Sequence, residues 1–104
     1  MKQVIDGKVY NTETAEIIGS YSNNLSYSDF RNFEETLHVT KKGNYFLAGR
    51  GGPMTQYAES VGDGVGSGSS IEPLSKEAAL KWAEQYCGDD EDVMEHFKDV
   101  IEEA

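Results

Sequence analysis

A chain of 104 residues with 38% hydrophobic content is one domain that can bury one modest core, not a disordered tail. Nineteen acidic residues against nine basic ones give a net charge of −10, which repels nucleic acid and anionic membranes and favours encounters with basic surfaces. There is no basic stripe to hold phosphates, no stretch nearing the ~18 apolar residues of a membrane span, and only one cysteine, Cys87, so no internal disulfide.

The N-terminus has no apolar run, so no secretion signal is expected, and a cytoplasmic, monomeric protein fits. Residues 2–5 and 8–10 flank Asp6-Gly7, a two-residue hairpin signal. Residues 14–21 read two ways. Thr12 can cap a short helix holding Ala15 and Ile18, or Ala15, Ile17, Gly19 and Tyr21 alternate as one strand face; Gly19 and the β-formers favour the strand. Residues 22–29 have turn chemistry.

Residues 33–40 alternate, with Phe33, Glu35, Leu37 and Val39 on one side and Glu34, Thr36, His38 and Thr40 on the other. A hairpin loop around Lys41-Lys42-Gly43-Asn44 leads into Tyr45, Phe46 and Leu47. Seven of the eleven glycines fall between residues 49 and 70. That stretch reads as loop, with one helical turn over 54–60 and a flexible glycine-rich linker over about 61–70.

Two helices are expected at the C-terminus. Ser75 is a natural N-cap with Glu77 in the first turn, Ala79, Trp82, Ala83 and Tyr86 form one apolar stripe, and Gly88 is a stop. Asp89 or Asp90 can cap the second helix, whose buried face would be Val93, Met94, Phe97, Val100 and Ile101. The fold class expected is α+β, a small antiparallel sheet with two C-terminal amphipathic helices packed through Trp82, Tyr86, Phe97 and Ile101, over residues 1–104 as a single domain.

Residues 75–104 hold ten acids and three bases, a net −7. On the second helix Glu91, Asp92, Glu95, Asp99, Glu102 and Glu103 would line an acidic ridge roughly 18 Å long. Only Lys98 interrupts it, and Glu102 and Glu103 would sit at the helix C-terminus, where the dipole disfavours negative charge. These six residues are the candidate partner-binding site; the alternative is an ordinary solvated face.

Other chemistries fare worse. Gly62-Asp63-Gly64-Val65-Gly66 fits no nucleotide fingerprint, and no Gly-Lys-Ser/Thr is present. Cys87 sits beside acids that would raise its pKa, and neither His38 nor His96 is spaced to serve a nucleophile, so no catalytic residues are assigned and a core-edge cysteine with two surface histidines is expected. Cys87, His96, His38 and Asp89 or Asp90 form a possible zinc set without a metal-site spacing, so no metal and no cofactor is assigned.

The segments Asp6-Gly7-Lys8-Val9-Tyr10-Asn11-Thr12-Glu13-Thr14-Ala15, Phe33-Glu34-Glu35-Thr36-Leu37, Thr40-Lys41-Lys42-Gly43-Asn44-Tyr45-Phe46-Leu47 and Pro73-Leu74-Ser75-Lys76-Glu77-Ala78 with Trp82-Ala83-Glu84 carry a likeness. Together they resemble small acidic proteins of phages and conjugative elements of low-GC Gram-positive bacteria. Several of these are anti-CRISPR inhibitors of type II-A Cas9 and others are anti-restriction factors. The resemblance implies a non-enzymatic inhibitor that presents an acidic, DNA-mimicking surface to a Lys- and Arg-lined nucleic-acid channel. The alternatives are an anti-restriction DNA mimic, a non-inhibitory accessory protein of a conjugative element, and a small metal-dependent enzyme.

Overall fold

Asp6 and Gly7 both take left-handed backbone angles, φ 51° and φ 77°, as a two-residue primed turn requires. They join β1 (Lys2–Ile5) to β2 (Lys8–Asn11) with Val4 opposite Val9. The computed structural model describes residues 1–103.

The ambiguous segment 14–21 is a strand, β3 (Glu16–Ser22), followed by the expected loop. β4 (Phe33–Val39) and β5 (Tyr45–Gly51) pair in unbroken register, Leu37 opposite Leu47 and His38 opposite Phe46. After β5 the chain departs from the loop reading. Residues 54–57 form turns, and 59–60 already belong to a strand, so no helix forms over 54–60. The glycine-rich stretch is ordered into a hairpin, β6 (Glu59–Val61) against β7 (Gly64–Gly66), and into the start of β8 (Gly68–Leu74). The main sheet runs β3-β4-β5-β8, antiparallel throughout. Pro73, opposite Phe46, is tolerated because β8 lies at the edge of the sheet.

The register slips between Ile17 and Gly19 in β3. This bulge turns Ile18, not Ile17, toward the core with Tyr21, and leaves Ile17 exposed.

α1 (Lys76–Cys87) begins as the sequence indicates, with Ser75 Oγ accepting from the Ala78 amide. It ends at Gly88, which keeps right-handed helical angles (φ −59°, ψ −24°) and takes no left-handed cap. Asp90 caps α2 (Glu91–His96), its carboxylate accepting from the Asp92 and Val93 amides. The second helix is much shorter than its apolar spacing predicts. It gives way at Phe97 to a single 3-10 turn, Lys98–Val100, and then to extended chain at Ile101. Val100 and Ile101 are therefore exposed, and Ile101 does not join the packing of the helices. By Asp99 the chain has come beside the start of α1, where Asp99 pairs with Lys76 at 2.7 Å.

The architecture is α+β, with a core on each face of the main sheet. On the inner face Leu37, Val39, Tyr45 and Leu47 pack against Ala79, Trp82, Ala83, Val93 and Phe97. Each large side chain buried there contributes about 1.5–3 kcal/mol of transfer free energy. On the outer face Phe46, Ala48 and Ile71 pack against Tyr10 from the β1–β2 hairpin. The Tyr10 ring meets Phe46 edge-on at 5.4 Å, and the His38 ring stacks on Phe46 at 4.8 Å. No helix among the described residues is long and apolar enough to cross a membrane.

Candidate functional site

The C-terminal acids do not form the continuous ridge that a long helix would have given. α2 is six residues, about 9 Å of helix, and carries only Glu91, Asp92 and Glu95. Asp99 lies on the 3-10 turn, and Glu102 and Glu103 lie beyond it in chain without regular structure. The dipole argument for the last two therefore lapses, since no helix ends beneath them. Two of the six are also neutralised locally: Glu95 pairs with Lys98 at 2.9 Å and Asp99 with Lys76 at 2.7 Å. The Lys76 ammonium bonded to it holds the Asp99 carboxyl below the usual carboxylate range.

What the fold does gather is an acidic corner where α1 turns into α2. Glu84 in the last turn of α1, Asp89 and Asp90 in the connection, and Glu91 and Asp92 in the first turn of α2 are all exposed. None of these five takes part in an ion pair among the described residues. Their placement has separate local causes. Asp90 is spent on the helix cap, and Glu91 and Asp92 benefit from the positive end of the α2 dipole. Glu84 gains no such benefit, because it lies at the negative end of α1, whose last turn holds no basic residue. A groove of about 520 Å³ opens here, lined by Ser20, Tyr86 and Cys87 as well as Glu84, Asp89 and Asp90. Its chemistry suits a Lys or Arg side chain, which would find carboxylates and the negative end of the α1 dipole.

Cys87 in this groove is half-buried, and its thiol approaches the Ser20 carbonyl at 3.7 Å. Burial, with Asp90 nearby, pushes the thiol pKa up, which keeps it protonated and poorly nucleophilic. The zinc set is not brought together. His96 Nε2 is engaged with the Tyr45 hydroxyl at 2.9 Å, and His38 lies on the other face of the sheet. Among the described residues no three His, Cys, Asp or Glu side chains stand close enough to share a metal ion.

His38 corrects another expectation, because it is a core residue at 2% exposure and not a surface one. Burial, with a contribution from the N-terminal ammonium, lowers its pKa, so it sits neutral. Its Nε2 meets Thr36 Oγ1 at 2.8 Å, beside an open groove of about 570 Å³ on the outer face. A hydroxyl against an imidazole has the outline of a nucleophile and its base. The Nδ1 atom, which a carboxylate would have to orient, is buried without a hydrogen-bond partner.

The inner face holds the one buried side-chain carboxylate among the described residues, Glu35, which strand alternation placed correctly without revealing its partners. Glu35 is 4% exposed. Oε1 accepts from Trp82 Nε1 at 2.9 Å, and Oε2 accepts from Gln56 Nε2 at 3.2 Å and from the Tyr57 hydroxyl. All three partners are neutral donors, the set that satisfies an acceptor-only carboxylate. Burial and the Glu35 carboxylate hold the Tyr57 phenol far above its usual pKa, so it stays a donor. Tyr57 reaches Glu35 across Gly49, where a Cβ would collide with its ring.

No known protein family, no curated protein and no solved structure matches this chain.

Proposed function

We propose that this chain is an acidic, non-catalytic binding protein that docks on a basic surface of a nucleic-acid-handling enzyme, most directly Cas9, and blocks the nucleic acid from that surface. The observation that carries the reading is the acidic corner: Glu84, Asp89, Asp90, Glu91 and Asp92 exposed together, without cationic partners, on the net −7 segment of a −10 protein. A Lys- and Arg-lined channel built for a heteroduplex and a PAM duplex is a complementary surface. Carboxylates in such a channel take the place of phosphates, which is how a DNA mimic or an anti-restriction factor would also act. Encounter would be electrostatically steered and fast at low salt.

The test is the association rate of the chain with guide-loaded Cas9, measured from roughly 50 to 500 mM salt, where the Debye length contracts to a few ångströms. The unmodified protein should associate at least tenfold more slowly at the high-salt end. The triple reversal Asp89→Lys, Glu91→Lys, Asp92→Lys, which leaves the Asp90 cap intact, should associate slowly at both ends. A plasmid-interference assay should show protection of target DNA by the unmodified chain and none by the reversal. Rates that ignore both salt and the reversal would remove the acidic corner as the recognition surface, and binding without protection would recast the chain as an accessory protein.

A further inference from the structure

Away from the acidic corner, the fold displays three large, mostly apolar side chains outside both of its cores. Tyr27, Phe30 and Met54 are 75%, 61% and 68% exposed. They come from two loops, 23–32 and 52–58, that emerge at the same end of the main sheet, beyond Ser22, Phe33 and Gly51. These loops are held in place by short polar side chains. Asn23 Nδ2 donates to the Arg31 carbonyl and Asn23 Oδ1 accepts from the Phe33 amide. Asn32 Nδ2 donates to the carbonyls of Tyr27 and Asp29, and Asp29 Oδ1 accepts from the Arg31 amide. The loops are also tied to each other, because the Met54 amide donates to the Phe30 carbonyl at 2.8 Å and the Gly52 amide to the Asn32 carbonyl at 2.8 Å. Gly52 lies so close that a Cβ there would stand 2.6 Å from the Phe30 carbonyl oxygen.

The same end holds the only two arginines of the chain. Arg31 pairs with Asp29, and Arg50 pairs with Glu34 and lies over the Tyr27 ring, 4.6 Å from its centroid. Aromatic residues, Met and Arg are the types enriched at the centres of protein interfaces, and Tyr and Arg recur among hot spots. Here they are presented on loops already fixed by hydrogen bonds, so little ordering entropy would be lost on docking.

Resting on the reading above, we propose that Tyr27, Phe30 and Met54 form the apolar anchor of the same complex, inserted into an apolar hollow that basic residues frame on the protein partner. Charge argues for that occupant over a second copy. Each copy carries −10, and the loops 23–34 and 50–66 that bear the anchor are themselves net −2, with Asp29, Glu34, Glu59 and Asp63 against Arg31 and Arg50. Two such surfaces repel each other and would repel an anionic membrane, but suit a basic rim. The acidic corner then governs the speed of encounter and this anchor governs how long the complex lasts.

The decisive experiment compares dissociation of guide-loaded Cas9 from the unmodified chain, from Phe30→Ser/Met54→Ser and from the Asp89, Glu91 and Asp92 reversal. Neither Phe30 nor Met54 is buried, so the double variant should unfold at an unchanged urea midpoint; Phe30→Leu/Met54→Leu serves as an apolar control that should dissociate as the unmodified chain does. The serine variant should dissociate roughly tenfold faster or more, as expected for losing interface anchors, with its salt dependence of association unchanged. Dissociation unchanged by the serine pair overturns the anchor and leaves the acidic corner standing. If the unmodified chain does not bind Cas9 at all, both readings fall together. Concentration-dependent dimers in sedimentation, or binding to anionic vesicles, that the serine pair abolishes would overturn the anchor in favour of a second copy or a membrane.

Discussion

The two faces of the main sheet bury a polar side chain each, and they treat it in opposite ways. On the inner face Glu35 accepts from three donors, under α1 and the 52–58 loop. On the outer face His38 is as deeply buried, yet it has one partner, Thr36, and an orphaned Nδ1. Over the inner face α1 brings the Trp82 indole and the 52–58 loop brings Gln56 and Tyr57, all donors, whereas the β1–β2 hairpin over the outer face brings Tyr10 and Ile5, which stack or fill space. Which element arrives over a strand, as well as which residue the strand turns inward, therefore decides whether a buried polar group stabilises the fold or merely occupies it.

The comparison is broken most severely at Glu35. Replacing it with alanine strands the Trp82 indole N–H, the Tyr57 hydroxyl and the Gln56 amide, and should destabilise the protein by about 3 kcal/mol or more in urea unfolding. A loss under ~1 kcal/mol would mean that water replaces the carboxylate and that the network is slack. Gly49→Ala attacks the same network from the strand opposite. A Cβ at Gly49 overlaps the Tyr57 ring, so the phenol must move off Glu35, at a cost of about 1–3 kcal/mol. Near-neutral stability would show that the loop yields without losing its hydrogen bond.

The outer face should respond least. His38→Phe keeps a ring on Phe46 and removes the orphaned nitrogen, so stability should change by about 1 kcal/mol or less in either direction. Its signature is pH dependence. The native pKa of His38 lies below its ordinary 6.5, so the unfolded chain takes up the proton first as the pH falls. That contribution is fully present above about pH 6.5 and is lost as the pH drops below it, until the native pKa is reached. Between about pH 7.5 and 5, urea midpoints should fall in the unmodified protein and fall less in His38→Phe; parallel slopes would assign the titration elsewhere.

Much of the fold is legible from local chemistry. Asp6-Gly7 specifies its turn, Ser75 its cap, and the alternation from Phe33 to Thr40 the strand at the centre of the sheet. The glycine-rich stretch misleads, because glycine reads as freedom when several of these positions are clearances. Gly49 is bare because Tyr57 lies across it, a relation between residues eight apart that no spacing rule encodes. The second helix misleads for the opposite reason. Val93, Met94, Phe97, Val100 and Ile101 keep helical period, but α2 stops at His96, so Val93 and Phe97 are buried while Val100 and Ile101 stay exposed. The candidate site was visible as composition, in the acids of residues 75–104, and invisible as geometry, since its shape depends on where α2 stops. The buried state of His38 required knowing that Tyr10, 28 positions earlier in the chain, would come to rest on the same face.

Pro73 has a consequence for life in concentrated solution. An added β-strand grows a sheet by taking amide hydrogens from the flank it joins. At residue 73 a foreign strand laid along β8 would meet a pyrrolidine ring with no hydrogen to give. Pairing of one molecule's sheet with the next thus loses a hydrogen bond at that point, which blunts the β8 flank as a template.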